Sequence, residues 1–164
     1  AGWNWVIGVN LMSVIWGIEI FGPLIEKHGE GGQIVSTASI AGLSAAVNPA
    51  YNVTKSGVLA LSETLAAELK KFKISVNVLC PTLVPTNIIK NGRIPSRYSG
   101  LADHALMNFA MTTSDSVAKL TLDRLDQGQL YTTPQLDAKL FWLMKRVSPN
   151  LYADFLGFSY RFLK

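Results

Sequence analysis

IVSTASIAGLSAAVNPAYNVTKSGVLALSETLAAEL, residues 34–69, decides the fold of this 164-residue chain. Gln33 to Ala38 (QIVSTA) is a short β-branched run and is predicted as a strand. A loop of small residues over 39–49 ends at Pro49, and a helix is predicted from there to about Lys71. Val58, Leu61, Leu65, Leu69 and Phe72 recur at helical spacing and form its expected apolar stripe. Ile74 to Leu79 (ISVNVL) reads as the next strand, closed by Pro81. Strand, helix and strand in this order imply a right-handed crossover and a parallel sheet. The expected fold class is therefore α/β, a Rossmann-like three-layer arrangement with about three strands and flanking helices.

The same stretch carries the chemistry. Tyr51 and Lys55 are four residues apart, so on a helix they stand one above the other on a single face. An ammonium near a phenol favours the phenolate, which would bring a group of ordinary pKa about 10 closer to neutrality. Tyr51 is thus a candidate acid or base, and Ser39, twelve residues upstream, a hydroxyl that can bind a reacting oxygen. Tyrosine and lysine at this spacing also occur by chance on solvated helix faces, so the pair needs support from elsewhere.

Bulk properties narrow the alternatives. The length suits one domain, and 49% hydrophobic with 16% charged residues argues against disorder. The net charge of +4 is scattered among acids and forms no stripe, so no nucleic-acid partner is expected. Cys80 is the one cysteine, which excludes an internal disulfide and fits a reducing compartment, the cytoplasm. Its setting, VNVLCP, suggests a buried, inert thiol. His28 and His104 are the only imidazoles and no acidic cluster accompanies them, so no metal site is expected.

Residues 3–25, WNWVIGVNLMSVIWGIEIFGPLI, are long and apolar enough to raise the question of a membrane span. Asn4, Asn10 and Glu19 interrupt the run, and it has neither the basic start nor the small-residue end of a signal peptide. The reading taken is a helix buried on most sides, packed on a sheet and on a second subunit. Gly29 to Gly32 then form a stop and turn. Beyond Pro81 the pattern dissolves over 82–113 into a substrate-loop region, with a short helix expected over Leu101 to Met111. Ser114 is expected to cap a helix through about Asp126 that Gly128 ends, followed by a short strand from Leu130 to Thr132. The tail reads as one or two amphipathic helices broken at Pro149. Packing on the domain or a neighbouring subunit is favoured for it over contact with a membrane surface. One domain over 1–164 results, with segments 1–81, 82–113 and 114–164.

The chain resembles the C-terminal half to two-thirds of a short-chain dehydrogenase/reductase. Asn10 in VIGVNLMSVIWG matches the asparagine in the middle of the family's long interface helix, and Ser39 matches its catalytic serine. Tyr51 and Lys55 match Y-x-x-x-K, while Pro81, Val84 and Thr86 fall on the family's P-G-x-V-x-T motif. The resemblance implies an NAD- or NADP-dependent interconversion of an alcohol and a carbonyl compound. Tyr51 would exchange the proton, and Lys55 would lower its pKa and hold the nicotinamide ribose. Ser39 would bind the substrate oxygen, and Asn10 would hold a water leading from Lys55 to solvent. Thr86 would meet the carboxamide.

Two departures stand out. Thr82 replaces the motif's glycine, and no strand followed by a G-x-x-x-G-x-G turn precedes the helix at 3–25. The expectation drawn is that only the C-terminal part of the family is represented, with the glycine-rich dinucleotide-binding half absent. Such a chain alone would lack the first part of the cofactor site. The partners expected are a small apolar alcohol or carbonyl substrate and further copies of the chain, as homodimer or homotetramer through helices 3–25 and 50–71. The alternative is a non-catalytic module acting in oligomerisation or protein interaction.

Overall fold

A computed structural model describes residues 2–44, 48–87 and 112–162. Three parallel strands, β1 (Gly32–Thr37), β2 (Ile74–Leu79) and β3 (Tyr131–Thr132), lie in the order β1-β2-β3. Gly32 faces Ile74 and Thr37 faces Leu79, so β1 and β2 end level with each other. Both chains leave the sheet at that C-terminal edge, which is where ligands of open parallel sheets collect.

Helix α1 (Trp3–His28) comes first and changes character on the way. Its turn at Gly8–Met12 is π-helical, and Asn10 lies in the middle of that turn. Single π turns inside α-helices occur often at functional sites. The helix ends at Gly29, whose φ of 74° is the left-handed C-terminal conformation that glycine adopts without cost. Gly31 has φ 82°, and a Cβ there would stand 2.7 Å from the Lys73 carbonyl oxygen, so the turn into β1 has no room for a side chain.

A short helix α2 (Ile40–Leu43) follows β1 inside the segment read as loop. Helix α3 (Pro49–Glu68) then begins with the Asn48 side chain accepting from Tyr51 N–H, and it passes into a 3-10 turn at Leu69–Phe72. Val58, Leu65 and Leu69 of its predicted stripe are buried, whereas Phe72 at the frayed end is exposed. Helix α4 (Ser114–Asp126) is capped by Thr113, one residue earlier than expected, in a reciprocal box with Ser116. The tail forms α5 (Leu136–Val147) and α6 (Pro149–Ser159), divided at Pro149.

Two apolar clusters hold the layers together. Ala38, Leu43, Val58, Leu59, Val78 and Cys80 join the ends of β1 and β2 to α2 and α3. Leu65, Leu69, Ile74 and Val76 do the same at the other end of the crossover. Between β2 and β3, the fully buried Asn77 donates to Gln129 O at 2.7 Å and accepts from Thr132 Oγ1 at 3.1 Å. A buried amide is tolerated because it is paired in this way.

Helix α1 is only partly covered. Only Val6 and Gly22 are buried along it, while Trp3, Trp5, Val9, Trp16, Ile20, Phe21 and Leu24 are exposed. By length and composition it could cross a membrane, with a mean hydropathy of 1.6 over its most apolar window. Within one chain a single face packs, through Leu11 against Gly57 of α3 and through Ile25 against β1, which leaves the remaining apolar face to the second subunit that the sequence reading expects. Composition alone cannot separate the two cases, because an apolar side chain reads the same whether a neighbour covers it or not.

Candidate active site

The crossover brings Ser39, Tyr51 and Lys55 to the C-terminal edge of the sheet. Ser39 follows β1 directly as the N-cap of α2, and its Oγ accepts from Ala41 N–H at 3.2 Å. The same hydroxyl donates to Pro81 O at 3.5 Å, linking the exits of β1 and β2. Tyr51 stands in the first turn of α3, one turn before Lys55. The Lys55 ammonium lies 5.7 Å from the Tyr51 ring centroid and donates to Thr37 O at 2.8 Å. A lysine tied to the last carbonyl of β1 is a positioned group, unlike the freely moving end of a solvated pair.

The electrostatics differ from the simplest reading of the spacing. Burial pushes the Tyr51 phenol above its usual value, and the hydrogen bond with Ser39 partly offsets this. Burial lowers Lys55 below the usual lysine value, opposed by Cys80. Desolvation is thus the leading influence on Tyr51, and it favours the neutral phenol. Cys80 itself is fully buried beneath the site, and burial pushes its thiol up to about 12. It is an inert core residue, as its neighbours suggested.

Asn10 is brought to α3 through Thr54, not through Lys55. Its Nδ2 donates to Thr54 Oγ1 at 3.5 Å, and that hydroxyl donates to Tyr51 O at 2.8 Å. Asn10 and Lys55 nevertheless share the wall of one cleft of about 400 Å³ between α1 and β1, with Ser13 and Thr37. Pro81 and Val84 are half-buried and Thr86 is exposed on the segment leaving β2. Thr82, the departure from the glycine motif, is tied down: its N–H donates to Gln135 Oε1 at 3.1 Å and its hydroxyl to Asp137 Oδ1 at 3.3 Å.

Gln135 was not singled out by sequence and is the hinge of this segment. Buried before α5, it also donates from Nε2 to Leu83 O at 3.3 Å and to Thr112 Oγ1 at 3.0 Å. One amide therefore fixes both ends of the described chain around the 82–113 region. A glutamine between Pro134 and a helix start gives no sequence signal of such a role. The helix expected over Leu101 to Met111, and most of the substrate loop, lie outside the described residues.

Comparison with known proteins places the chain in a family. Residues 1–95 match the short chain dehydrogenase family. Dehydrogenase/reductase SDR family member 4 of Rattus norvegicus is 39% identical over 87 residues, covering 52% of this chain and 30% of the relative. D-beta-hydroxybutyrate dehydrogenase of Rhizobium meliloti is 31% identical over 133 residues, covering 79% of this chain and 51% of the relative. A short-chain dehydrogenase/reductase from Burkholderia phymatum in complex with NAD superposes with a TM-score of 0.78 at 29% identity, over 91% of this chain and 59% of that one. A short-chain dehydrogenase from Sphingobium yanoikuyae in complex with NADPH shares the fold, with a TM-score of 0.65 at 23% identity over 90% of this chain and 55% of that one. The chain spans about a third to a half of the length of the curated relatives it matches.

The family match starts at residue 1. That corrects the expectation of a C-terminal part alone with the N-terminal half absent: the N-terminal portion of this chain, helix α1 included, lies inside the matched region. With an α/β Rossmann-like fold, a three-stranded parallel sheet and a family match over residues 1–95, the chain belongs to the short-chain dehydrogenase/reductase family.

Proposed function

We propose that this chain works as an NAD(P)-dependent oxidoreductase interconverting an alcohol and a ketone or aldehyde, with Tyr51 as proton donor and acceptor. The observation that carries the reading is the convergence of Ser39, Tyr51 and Lys55 at the strand ends, with Lys55 locked onto Thr37 O. The NAD and NADPH complexes among the structural neighbours support the cofactor class. The polar cleft between α1 and β1, with Lys55 on its wall, fits a ribose and its hydroxyls.

In this reading Tyr51 and Lys55 hold the ribose, and Pro81, Val84 and Thr86 line the carboxamide end. When bound, the nicotinamide supplies or accepts the hydride, while the protein supplies placement and proton transfer. Ser39 Oγ binds the substrate oxygen, and the neutral Tyr51 phenol gives it a proton in the reduction direction. In oxidation the phenolate takes that proton back. Asn10, across the cleft from Lys55, holds a water through which the proton reaches solvent. Small apolar alcohols or carbonyl compounds suit the apolar walls beside Ser39.

Titration with NADH and NADPH, read by quenching of tryptophan fluorescence, tests the assignment. Saturable quenching by either cofactor is expected, weakened by Lys55→Met. No saturable binding of either one would favour a non-catalytic module instead.

Assembly is proposed through α1 together with α3. The support is the exposed apolar face of α1, with Trp16, Ile20, Phe21 and Leu24 open along it, since contiguous apolar patches of this kind mark interaction sites. Light scattering of the protein is expected to give the mass of a dimer or tetramer, and the double variant Trp16→Glu, Ile20→Glu that of a monomer. A wild-type monomer, or an unchanged mass in the variant, would contradict this.

A further inference from the structure

Helix α5 carries an apolar stripe that no described residue covers. Leu136, Leu140, Leu143 and Val147 recur at helical spacing, so they fall on one side of the helix. Each is between 56% and 77% exposed. The opposite side is the one that packs: Ala138 is fully buried, Trp142 stands 5.2 Å from the Tyr131 ring, and Lys145 donates to Leu43 O at 2.8 Å. The packing expected of the tail on the domain is met by that inner side alone. Helix α6 repeats the pattern, with Leu151, Phe155 and Phe158 exposed on one side and Tyr152 buried on the other.

The free charges beside the α5 stripe are of one sign. Lys139 and Arg146 are exposed and flank it along the same edge, with Arg146 5.3 Å from the Trp142 ring. Asp137, the acid of this helix, is held toward the domain, where its Oδ1 accepts from Thr82 Oγ1 at 3.3 Å and from Ala138 N–H at 2.8 Å. Asp154 is the acid of α6. Aliphatic side chains with cations along their edge suit a helix lying in a bilayer interface, the former in the acyl boundary and the latter at the headgroups. A second copy suits it less well. Pairing two such stripes across an antiparallel twofold would set Lys139 and Arg146 against the same residues of the copy, and like charges oppose that contact.

We propose that the outer face of α5, with α6 beside it, docks the protein on a membrane surface carrying anionic phospholipid. The four aliphatic side chains enter the acyl boundary, and Lys139 and Arg146 meet the headgroups. This face shares no residue with α1, through which assembly is proposed, and it does not depend on the oxidoreductase reading.

Co-sedimentation with phosphatidylcholine vesicles, with and without about one-third phosphatidylserine, tests the proposal. The protein is expected to sediment with the anionic vesicles and to stay in solution with phosphatidylcholine alone. Lys139→Gln with Arg146→Gln is expected to weaken binding about 25-fold, roughly five-fold for each charge lost near the surface. Leu140→Glu with Leu143→Glu is expected to abolish it, with the circular dichroism spectrum unchanged because both positions are exposed. If that variant does not fold, the Lys139 and Arg146 pair decides. No sedimentation with anionic vesicles, equal sedimentation with both kinds, or undiminished sedimentation of either double variant would overturn the proposal. Light scattering without lipid reads the competing occupant. A mass that falls in Leu140→Glu with Leu143→Glu would assign the face to a second copy and overturn the proposal as well.

Discussion

Tyr51→Phe is expected to lower kcat about 10²- to 10⁴-fold, the usual worth of a positioned general acid or base, with the melting temperature little changed. The substitution keeps the ring and its 5.7 Å contact with the Lys55 ammonium, and removes only the oxygen. Ser39 retains its bonds to Ala41 N–H and Pro81 O, so the strand ends stay joined. The loss therefore falls on proton transfer. The pH profile of the wild type carries a second signature. Burial raises the Tyr51 pKa, so the phenol stays protonated through neutral pH. Carbonyl reduction, which uses the phenol, should hold across that range and fall only as pH rises through the raised pKa. Alcohol oxidation, which uses the phenolate, should climb over the same interval. Steady-state rates in both directions from pH 6 to 11 read both limbs, and Tyr51→Phe should flatten them.

Gly42→Ala is expected to cost about 3 kcal/mol, at the upper end of overpacking penalties, and to lower the melting temperature by roughly 10 °C. A Cβ at Gly42 would stand 2.7 Å from the Lys55 carbonyl carbon and oxygen and 2.7 Å from Leu59 Cδ1. Leucine can swing aside, but the Lys55 backbone belongs to the middle of α3 and cannot yield without moving the helix. Ser56 Oγ already bonds Gly42 O at 3.0 Å, so α2 and α3 are drawn together at this point. Separating them displaces Ser39, the N-cap of α2, from Tyr51 and Lys55 on α3. Activity at temperatures where the variant is folded should therefore fall as well. Thermal unfolding followed by circular dichroism, with kinetics below the transition, checks both parts. A melting temperature within 2 °C of wild type would show that the packing described at Gly42 is wrong.

How much of this was legible in the sequence varies with the kind of signal. Strand β2 is legible with its bounds intact, because the apolar, β-branched run Ile74–Leu79 stops two residues before Pro81. The division of the tail at Pro149 was legible for the same reason: proline states its own geometry. Strand and helix periods place Ser39, Tyr51 and Lys55 on adjoining elements, and the family resemblance is what joins them into a set. The behaviour of Tyr51 was not legible, since its pKa follows from burial, a property of the packed chain rather than of spacing. For helix α1 the sequence does not say which apolar residues the chain itself covers, and most of them are exposed within one chain. Gln135 stays hidden because its role depends on contacts between segments far apart in sequence. The helix cap at Thr113 was missed by one residue, as is common where two hydroxyl residues adjoin.

The central claim is that Tyr51 exchanges the proton in a hydride transfer performed at this site. Reduction of acetophenone with NADH or NADPH deuterated at the transferable position, followed by mass spectrometry of the alcohol, tests it most directly. The account predicts one deuterium on the carbinol carbon with the wild-type protein, and labelled product reduced at least 100-fold with cofactor-saturated Tyr51→Phe, at the lower bound for a lost general acid. Labelled alcohol formed by Tyr51→Phe at the wild-type rate would contradict it.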